Sequence, residues 1–302
     1  MSLFGNLAAK VEGEKRRARA KGDILTPVIT PQVHGDNYIS DKVISMDTQH
    51  EETRGGSGLI HGSSLIGMCP RRQVLTIRAG KAPDRAVKTA DRLVWAIGRA
   101  VEEHIRNQFI EAVDRKGVIA SWRCKCGKSK VEGFYDRAVK CDVCKSHVDR
   151  FTELTLFDFP GNVVGNADMM YVRPDKPVVR TVEIKSMNKK DYDALTEPVS
   201  DHVTQAFINR RLAKINGLEV DDQVTLIYGC KDYAFSGRLY REFYISTSDF
   251  YEKQMDTFWE RAKLVKSAEE DTSILPERIA ACPNKTSPFA KKCDCCEACF
   301  VR

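Results

Sequence analysis

The strongest alternation of apolar and polar positions lies in residues 89–113. Apolar side chains recur there at spacings of three and four, which places them on one face of a helix. They are Val94, Ile97, Val101, Ile105 and Phe109. This stretch is therefore the clearest helix that the sequence predicts, and one of its faces should lie against a core.

Downstream, the apolar period changes from that of a helix to that of strands. Residues 165–188, GNADMMYVRPDKPVVRTVEIKSMN, hold two runs rich in β-branched and apolar residues around a proline-containing turn, which predicts a hairpin. In the second run Val182 and Ile184 alternate with two charged residues, Glu183 and Lys185. The sequence thus predicts a strand with one apolar face and one face that carries an acid beside a base.

The same patterns give the order of elements along the rest of the chain. Helices are expected near 89–113, 200–215 and 248–268, and strands near 151–158, 163–172, 178–186, 223–229 and 238–246. Helix, three strands, helix and two strands predict an α/β fold with a mixed central sheet flanked by helices.

Composition adds a division into segments. The chain has 302 residues, of which 42% are apolar, enough for one large core or two smaller ones. The expected segments are a basic, partly flexible arm over 1–60, a helical part over 61–121, a cysteine-bearing insertion over 122–150, a core over 151–270 and a cysteine-rich segment over 271–302.

Net charge gives a weaker indication of function. A value of +6 is compatible with a polyanionic partner without requiring one. Residues 10–21 hold six Lys or Arg against two Glu, so this arm is either solvated and partly helical or in contact with phosphates. No apolar run approaches the ~20 residues that cross a bilayer, and residues 1–22 lack the pattern of a secretory signal. We therefore expect a cytoplasmic protein without a membrane partner.

The acids of the predicted hairpin suggest a metal site. Asp168 precedes Glu183 by 15 residues, a spacing that lets the hairpin bring both carboxylates together. Such a pair offers hard oxygen ligands, which suit Mg²⁺ or Mn²⁺. Lys185 would add a positive charge beside a scissile phosphate or an attacking water. The alternative is a surface Glu–Lys pair and an unrelated aspartate in a turn.

These motifs resemble those of the PD-(D/E)XK nuclease superfamily, in its RecB-like exonuclease branch. The branch has a Gly-x-x-Asp strand, matched at Gly165–Asp168, and then a strand with Glu and Lys two apart, matched at Glu183 and Lys185. The resemblance implies a restriction-endonuclease-like core that hydrolyses phosphodiester bonds in DNA with Mg²⁺ or Mn²⁺.

The resemblance also extends to two helices. An earlier helix of the branch carries Gly-x-x-Val followed by Glu or His, matched in GRAVEEH, residues 98–104. Helical phase favours Glu102 over Glu103, because Glu102 lies on the flank shared with Gly98 and Phe109 while Glu103 points away from the apolar stripe. Glu102 is therefore the expected third metal ligand, direct or through water, with His104 as its competitor. A later helix carries Gln-x-x-x-Tyr, which matches at Gln205 but has Asn209 in the tyrosine position.

Other residues near these motifs have open roles. His202, Gln205 and Asn209 share one helical face, able to hold a strand backbone or to orient Lys185. Tyr228 and Lys231, where the family's last core strand runs, are as compatible with a structural role as with a functional one.

The first group of cysteines has the spacing of a zinc ribbon. Cys124-x-Cys126 and Cys141-x₂-Cys144 are separated by fourteen residues, and two such pairs supply four thiolates for tetrahedral Zn²⁺. Zinc would fold an insertion that is too small to have a core of its own. The Lys and Arg residues of this insertion suit DNA backbone contact, while structural support and partner docking are equally open.

A second group joins an early cysteine to the tail. Cys69 stands alone, and Cys282, Cys293, Cys295, Cys296 and Cys299 end the chain. One early and three late cysteines resemble the iron–sulfur subgroup of RecB-like nucleases, which includes AddB-type helicase–nucleases and the CRISPR adaptation exonuclease. That resemblance implies a [4Fe–4S] cluster.

The spacing of the subgroup favours one set of cluster ligands. Its last gap matches Cys293 to Cys299, which favours Cys69, Cys282, Cys293 and Cys299, with Cys296 as an alternate for Cys282. A second zinc is the other interpretation of the tail. Cys230 is expected to be a core thiol. Arg71 and Arg72, beside Cys69, either bind phosphate or form a surface pair.

Together these features predict a metal-dependent DNA nuclease. We expect an exonuclease that acts on DNA ends or single strands in replication, recombination or repair, with a possible protein partner from those processes. A non-catalytic DNA-binding or assembly subunit that retains the fold is the alternative, and a redox- or iron-sensing regulator is a third hypothesis.

Overall fold

The computed structural model describes residues 59–79, 89–232 and 240–300. Residues 1–58 of the expected basic arm lie outside this part of the chain. The helices are α1 Gly62–Leu65, α2 Pro70–Arg78, α3 Thr89–Val113, α4 Lys189–Ala194, α5 Ser200–Ile215, α6 Asp249–Glu270, α7 Pro288–Lys291 and α8 Cys296–Phe300. None of the helices in these ranges is both long and apolar enough to span a membrane.

The strands form two sheets. They are β1 Ile60–His61, β2 Val118–Cys124, β3 Lys130–Phe134, β4 Val148–Thr152, β5 Leu154–Asp158, β6 Val163–Ala167, β7 Met169–Arg173, β8 Lys176–Met187, β9 Gln223–Cys230 and β10 Tyr240–Ser246. The large sheet has the order β10-β9-β8-β7-β2-β3, with β4 beside β2, and the small sheet has the order β1-β6-β5. Because β8 and β9 are parallel while β7 and β8 are antiparallel, the large sheet is mixed, as predicted.

Two predicted strands each break in the middle, and each break moves the chain from one sheet to the other. The strand expected over 151–158 divides at Glu153 into β4 and β5, and the strand expected over 163–172 divides at Asp168 into β6 and β7. On the small-sheet side of the breaks, Leu154 pairs with Ala167. Side-chain alternation continues through such a crossing, so the sequence pattern could not show it.

Strand β8 is buried on both faces, not on one as the pattern predicted. Val182, Glu183 and Ile184 are all buried. Helix α3 covers the face of Ile184 through Ile105 and Phe109, and α5 covers the opposite face. A central strand between two helical layers has little water on either side, so the acid beside the base lies in the interior.

The apolar stripe of α3 is buried only in its second half. Ile105 and Phe109 are fully buried, whereas Val94 is 52% exposed. Helix α3 has 25 residues and is about 38 Å long, and only its second half contributes to the apolar cluster that it shares with β8 and β9. The prediction of one continuous buried face was therefore wrong for the first turns of the helix.

The cysteine-bearing insertion is continuous with the large sheet. Strand β2 crosses the boundary expected between residues 121 and 122, and it pairs with β7, β3 and β4. Trp122, Cys124 and Cys141 are buried in the same apolar cluster as Phe109 and Ile184. The insertion thus shares a core with the large sheet. The sequence instead predicted a module without a core of its own, folded by zinc.

Close approach of α3 to the sheet depends on Gly229 of β9. A Cβ atom at this position would overlap Ile105 Cδ1 and lie 3.1 Å from Val101 Cγ1. We predict that Gly229→Ala lowers the free energy of unfolding by about 1–3 kcal/mol through overpacking. Ile105→Val alone should cost about 0.5–1.5 kcal/mol.

The two substitutions should partly compensate, since Ile105→Val removes the atom that the new methyl group at position 229 would meet. Denaturant unfolding of both single variants and the double variant measures this coupling. Purely additive losses would contradict the packing described for α3.

Candidate active site and metal centres

Asp168 occupies the point where the chain passes from β6 to β7. Its Oδ2 accepts a hydrogen bond of 2.8 Å from the backbone N–H of Ile184 and lies 3.8 Å from Lys185 Nζ. The sheet crossing removes the usual strand partner at this position, so the carboxylate can turn toward the next strand. The break in the strand therefore fixes Asp168 against β8.

Glu183 lies on β8 with its side chain fully buried. Oε1 forms an ion pair with the Lys185 ammonium, and Oε2 accepts a 3.1 Å hydrogen bond from Asn209 Nδ2 of α5. Burial, with the nearby charge of Asp168, raises the pKa of Glu183 to about 8. The ionised form of Glu183 is thus stabilised in this environment only when a positive charge lies close to it.

Lys185 supplies that charge between the two acids. Burial alone would lower the pKa of Lys185, but the charges of Asp168 and Glu183 outweigh burial and hold that pKa above its ordinary value. The side chain is therefore an ammonium at neutral pH, in contact with both carboxylates.

Glu102 reaches the site from α3. Its Oε1 accepts hydrogen bonds from the Ser186 backbone N–H at 3.1 Å and from Ser186 Oγ at 2.8 Å. Burial and the charge of Asp168 raise the pKa of Glu102. The glycine one turn earlier permits this approach, because a Cβ at Gly98 would lie 3.0 Å from Ser186 Oγ. The competitor His104 is exposed.

Helix α5 contacts the site through Asn209 and not through Gln205. The side chain of Gln205 makes no hydrogen bond to any residue that the structure describes, whereas the side chain of Asn209 donates to Glu183. A Cβ at Gly165 would lie 3.1 Å from Asn209 Oδ1 and 2.6 Å from Leu212 Cδ1, so this glycine lets α5 lie close. Asn209, which stands in the tyrosine position of the Gln-x-x-x-Tyr motif, therefore has its own contact with the site.

His202 and Tyr228 form a pair at the N-terminal end of α5. Tyr228 Oη accepts from the Val199 backbone N–H at 3.0 Å and lies 3.1 Å from His202 Nδ1. Burial and the charge of Lys185 lower the pKa of His202 to about 4, so the ring is neutral at pH 7. In one neutral tautomer Tyr228 donates to Nδ1 and Nε2 carries the ring proton; in the other Nδ1–H donates to Tyr228 and Nε2 is an acceptor.

Glu153, at the β4–β5 crossing, is an acid that the sequence analysis missed. Glu153 forms a 3.0 Å ion pair with Arg106 of α3. Burial raises the pKa of Glu153, although the charge of that arginine lowers it. The charges of Asp168 and Glu102 raise this pKa further. The available signal was a single acid within the apolar run RFTELTLF, the same signal that identified Asp168.

The donor set of the acidic site fits a hard divalent cation. Carboxylate oxygens are the ligands that Mg²⁺ and Mn²⁺ prefer, and burial, followed by the charge of Asp168, raises the pKa values of Glu102 and Glu183. Within the described residues only the four ribbon cysteines bring three or more ligand atoms within 4.8 Å of one another. The acids are instead arranged around the Lys185 ammonium.

The four ribbon cysteines converge as the sequence predicted and form a cluster that could bind a metal. They are Cys124, Cys126, Cys141 and Cys144. Backbone N–H groups of Ser129 and Cys144 donate to the sulfurs of Cys124 and Cys141 at 3.4 Å. The Cys144 N–H and the Ser129 hydroxyl lower the pKa of Cys141 to about 5, which favours a thiolate.

The tail cysteines surround one small cavity. Cys69 and four cysteines of the tail line it, namely Cys282, Cys293, Cys296 and Cys299. Both predicted ligand sets are therefore present, and Cys296 is as well placed as Cys282. Cys295 differs, because its sulfur lies 3.4 Å from the Thr76 hydroxyl of α2. Cys230 packs against the main core, as expected.

Arg71 and Arg72 fasten α2 to the tail and are not a free surface pair. Arg71 donates to the carbonyl oxygens of Pro276 at 3.0 Å and Cys299 at 3.2 Å. Arg72 forms a 2.9 Å ion pair with Asp294. These contacts hold α2 against the segment that carries the cysteine cavity.

Comparison with known proteins gives only distant structural similarity. No family model matches the chain, and no curated protein matches it. A solved structure of the protein designated SSO0001 covers 85% of this chain and 96% of its own at 13% identity and a TM-score of 0.41.

A second solved structure is an alkaline exonuclease from Laribacter hongkongensis. It covers 72% of this chain and 94% of its own at 12% identity and a TM-score of 0.40. The same enzyme in complex with dAMP gives 12% identity, a TM-score of 0.39 and the same coverage. Similarity at this level bears on neither substrate nor mechanism.

The raised pKa of Glu183 leads to a prediction about stability. A carboxyl whose pKa rises on folding contributes stability that is present below about pH 4.5 and lost as the pH rises through about 8. Glutamine cannot ionise, so Glu183→Gln should raise Tm relative to the native protein, and by more at pH 8 than at pH 5. Thermal unfolding in EDTA measures the difference, with Glu277→Gln at an exposed site as the control. A difference that does not change with pH would contradict the burial described.

The two cysteine groups should hold their metals independently. We predict that Cys141→Ser lowers the zinc content and leaves iron unchanged, and that Cys293→Ser lowers iron and leaves zinc unchanged, because the groups occupy separate parts of the fold. Cys295→Ser is the matched control in the tail and should change neither. Elemental analysis of anaerobically purified protein measures both metals. Loss of iron from Cys295→Ser would contradict the cavity as the binding site.

Proposed function

We propose that the chain is a metal-dependent DNA nuclease, an exonuclease that hydrolyses phosphodiester bonds at DNA ends or in single strands during replication, recombination or repair. One observation carries the proposal. Asp168 and Glu183 contact the same half-buried ammonium, Lys185, at the place where two strands leave the large sheet. A surface Glu–Lys pair would be solvated and would have no second acid beside it.

The acids would hold Mg²⁺ or Mn²⁺. Asp168 and Glu183 are the expected ligands, with Glu102 as a third, direct or through water. A divalent ion at such a site activates water and neutralises charge on the leaving oxygen. Glu153 adds negative potential next to Asp168, and its pairing with Arg106 limits the repulsion.

Lys185 would act as a fixed positive charge and not as a general base. The two carboxylates hold its pKa above the ordinary value, so it has no readily lost proton at working pH. An ammonium in a water-poor site stabilises the negative charge that develops on a phosphate during attack. Asn209 would keep Glu183 in place through its 3.1 Å hydrogen bond.

The polar side chains of α5 would position the substrate strand. His202 is neutral and would present Nε2–H as a donor when Tyr228 donates to Nδ1, and the side-chain amide of Gln205 has no described partner. Both lie on the helix that carries Asn209, one and two turns before it. Neutral donors can bind phosphate oxygens or base edges without competing for the ion held by the acids.

The cysteine groups would stabilise the two regions that flank this site. The ribbon sulfurs lie within 4.8 Å of one another, so a small adjustment would bring them to the separation of about 4 Å that one tetrahedral Zn²⁺ with Zn–S bonds of about 2.3 Å requires. The cavity cysteines include no such compact group of three among the described residues, which favours a [4Fe–4S] cluster, since its thiolates bind different irons. The cluster would join α2 to the tail.

Two substitutions test the proposed chemistry. Asp168→Ala and Lys185→Ala should each lower cleavage of end-labelled single- and double-stranded DNA by at least about 10²-fold with Mn²⁺ or Mg²⁺, because each removes charge at the reacting phosphate. DNA binding in EDTA should stay within about threefold of native. Lys189→Ala, an exposed lysine four residues along the chain, is the matched control for Lys185→Ala.

The outcomes separate the alternatives. Native protein that binds DNA but cleaves neither substrate with either ion would support the non-catalytic subunit instead. Equal loss of binding and cleavage in both variants would contradict the assigned roles of Asp168 and Lys185.

A further inference from the structure

A row of three basic side chains crosses the ribbon in lateral register. Arg123 of β2 is paired with Lys130 of β3 on one side and with Arg150 of β4 on the other. Residues directly opposite in an antiparallel pair project from the same face, so the three side chains lie side by side. All three are exposed. We call them the ribbon row.

This arrangement is unfavourable for the isolated protein. Like charges directly opposite each other across strands destabilise a sheet. Neither Arg123 nor Arg150 forms an ion pair with a described residue, and only Lys130 has a partner, Glu132, at 2.6 Å. The ribbon as a whole carries eight Lys or Arg against four Asp or Glu over residues 122–150. An anion bound from solution would reduce the repulsion among these three side chains.

Strand register places the row on the same face of the sheet as the acidic site. Ile119 pairs with Met170 of β7, and Met170 pairs with Thr181 of β8. Continuing that register by two positions along each strand aligns Ser121 with Asp168 and Glu183. Two more positions align Arg123 with the level of Lys185. Since side chains two apart share a face, the row and Lys185 project to the same side.

The row also begins near the site and leads away from it. Strand β4 takes the place of β7 on the side of β2 that faces β8, because β7 pairs with Val118 and Ile119 while β4 pairs from Ser121 onward. Arg150, Arg123 and Lys130 therefore lie in successive strand columns with spacings of about 4.8 Å. The row follows a line from the acidic site toward the edge of the ribbon.

We propose that the ribbon row binds the phosphodiester backbone of the nucleic-acid strand whose scissile phosphate lies at Asp168, Glu183 and Lys185. The inference rests on the proposed nuclease function for the position of the scissile phosphate, but not for the binding itself. Side chains that contact phosphates make no choice among bases, so the row fixes the path of the strand and not its sequence.

Salt dependence of DNA binding tests the row. The double variant Arg123→Gln/Arg150→Gln should bind a fluorescein-labelled single strand about 10- to 30-fold more weakly at about 0.15 M salt, since each phosphate contact accounts for roughly three- to fivefold at that concentration. The slope of log affinity against log salt should fall by about 1.4, since each phosphate contact to a single strand contributes about 0.7. The double variant Lys140→Gln/Lys145→Gln, with the same charge change elsewhere on the ribbon, should stay close to native in both quantities.

A gain of affinity gives a second, independent readout. Glu132→Gln frees Lys130 and removes the only acid paired with the row among the described residues, so binding should tighten by about threefold at low salt. Removing an arginine from the row should leave Tm unchanged or raise it, because repulsion across the strands is relieved. If Arg123→Gln/Arg150→Gln loses its ribbon metal, its DNA affinity no longer reports on the row, and the Glu132→Gln variant is the test. Unchanged DNA affinity in Glu132→Gln would then overturn the proposal.

The outcomes also separate the row from the nuclease proposal. Row-dependent binding by a native protein that does not cleave would retain the row and reject the nuclease. Cleavage by native protein, with both double variants binding equally well, would reject the row and retain the nuclease. A row that served an acidic protein partner would give native DNA affinity and slope in Arg123→Gln/Arg150→Gln, which overturns the proposal.

Discussion

Two neighbouring strands leave the large sheet at the same level, one at Glu153 and the other at Asp168, and this shared crossing positions the acidic site. Each crossing ends one set of backbone pairings and frees a carboxylate: Asp168 contacts β8, and Glu153 pairs with Arg106 of α3. The acids that gather there could not be tolerated without the half-buried ammonium of Lys185, which two of them contact. Strand order, helix approach and charge balance all depend on this one arrangement. The raised pKa of Glu183 reflects how unfavourable it is to ionise a buried carboxyl beside Asp168.

The sequence allowed much of this to be predicted where the signal was local. Helix α5 matches the expected range 200–215 because both ends coincide with changes in apolar pattern. Asp168, Glu183 and Lys185 were found together because strand alternation and a family motif agree. The mixed α/β fold class was confirmed for the same reason, since it follows from the order of elements.

What the sequence did not show depends on partners far away in the chain. Alternation cannot reveal that a strand changes sheets, so Glu153 was overlooked although it is as isolated among apolar neighbours as Asp168. Asn209 was treated as a departure from a motif, yet its contact with Glu183 spans 26 positions. The contacts of Arg71 with the tail could not be foreseen, because its acceptors lie 205 and 228 positions away.

Arg71 has a consequence for how the described fold comes apart. With the Arg72–Asp294 ion pair and the Thr76–Cys295 contact, its bond to the Cys299 carbonyl joins α2 to the tail and closes a loop that spans 228 positions. Closing a loop of that length in an unfolded chain costs on the order of 5 kcal/mol of entropy. A thiol-bound group in the neighbouring cavity would strengthen the same join. Oxidative loss of such a group would therefore weaken the attachment of α2 to the tail, at contacts in which no residue of the acidic site takes part.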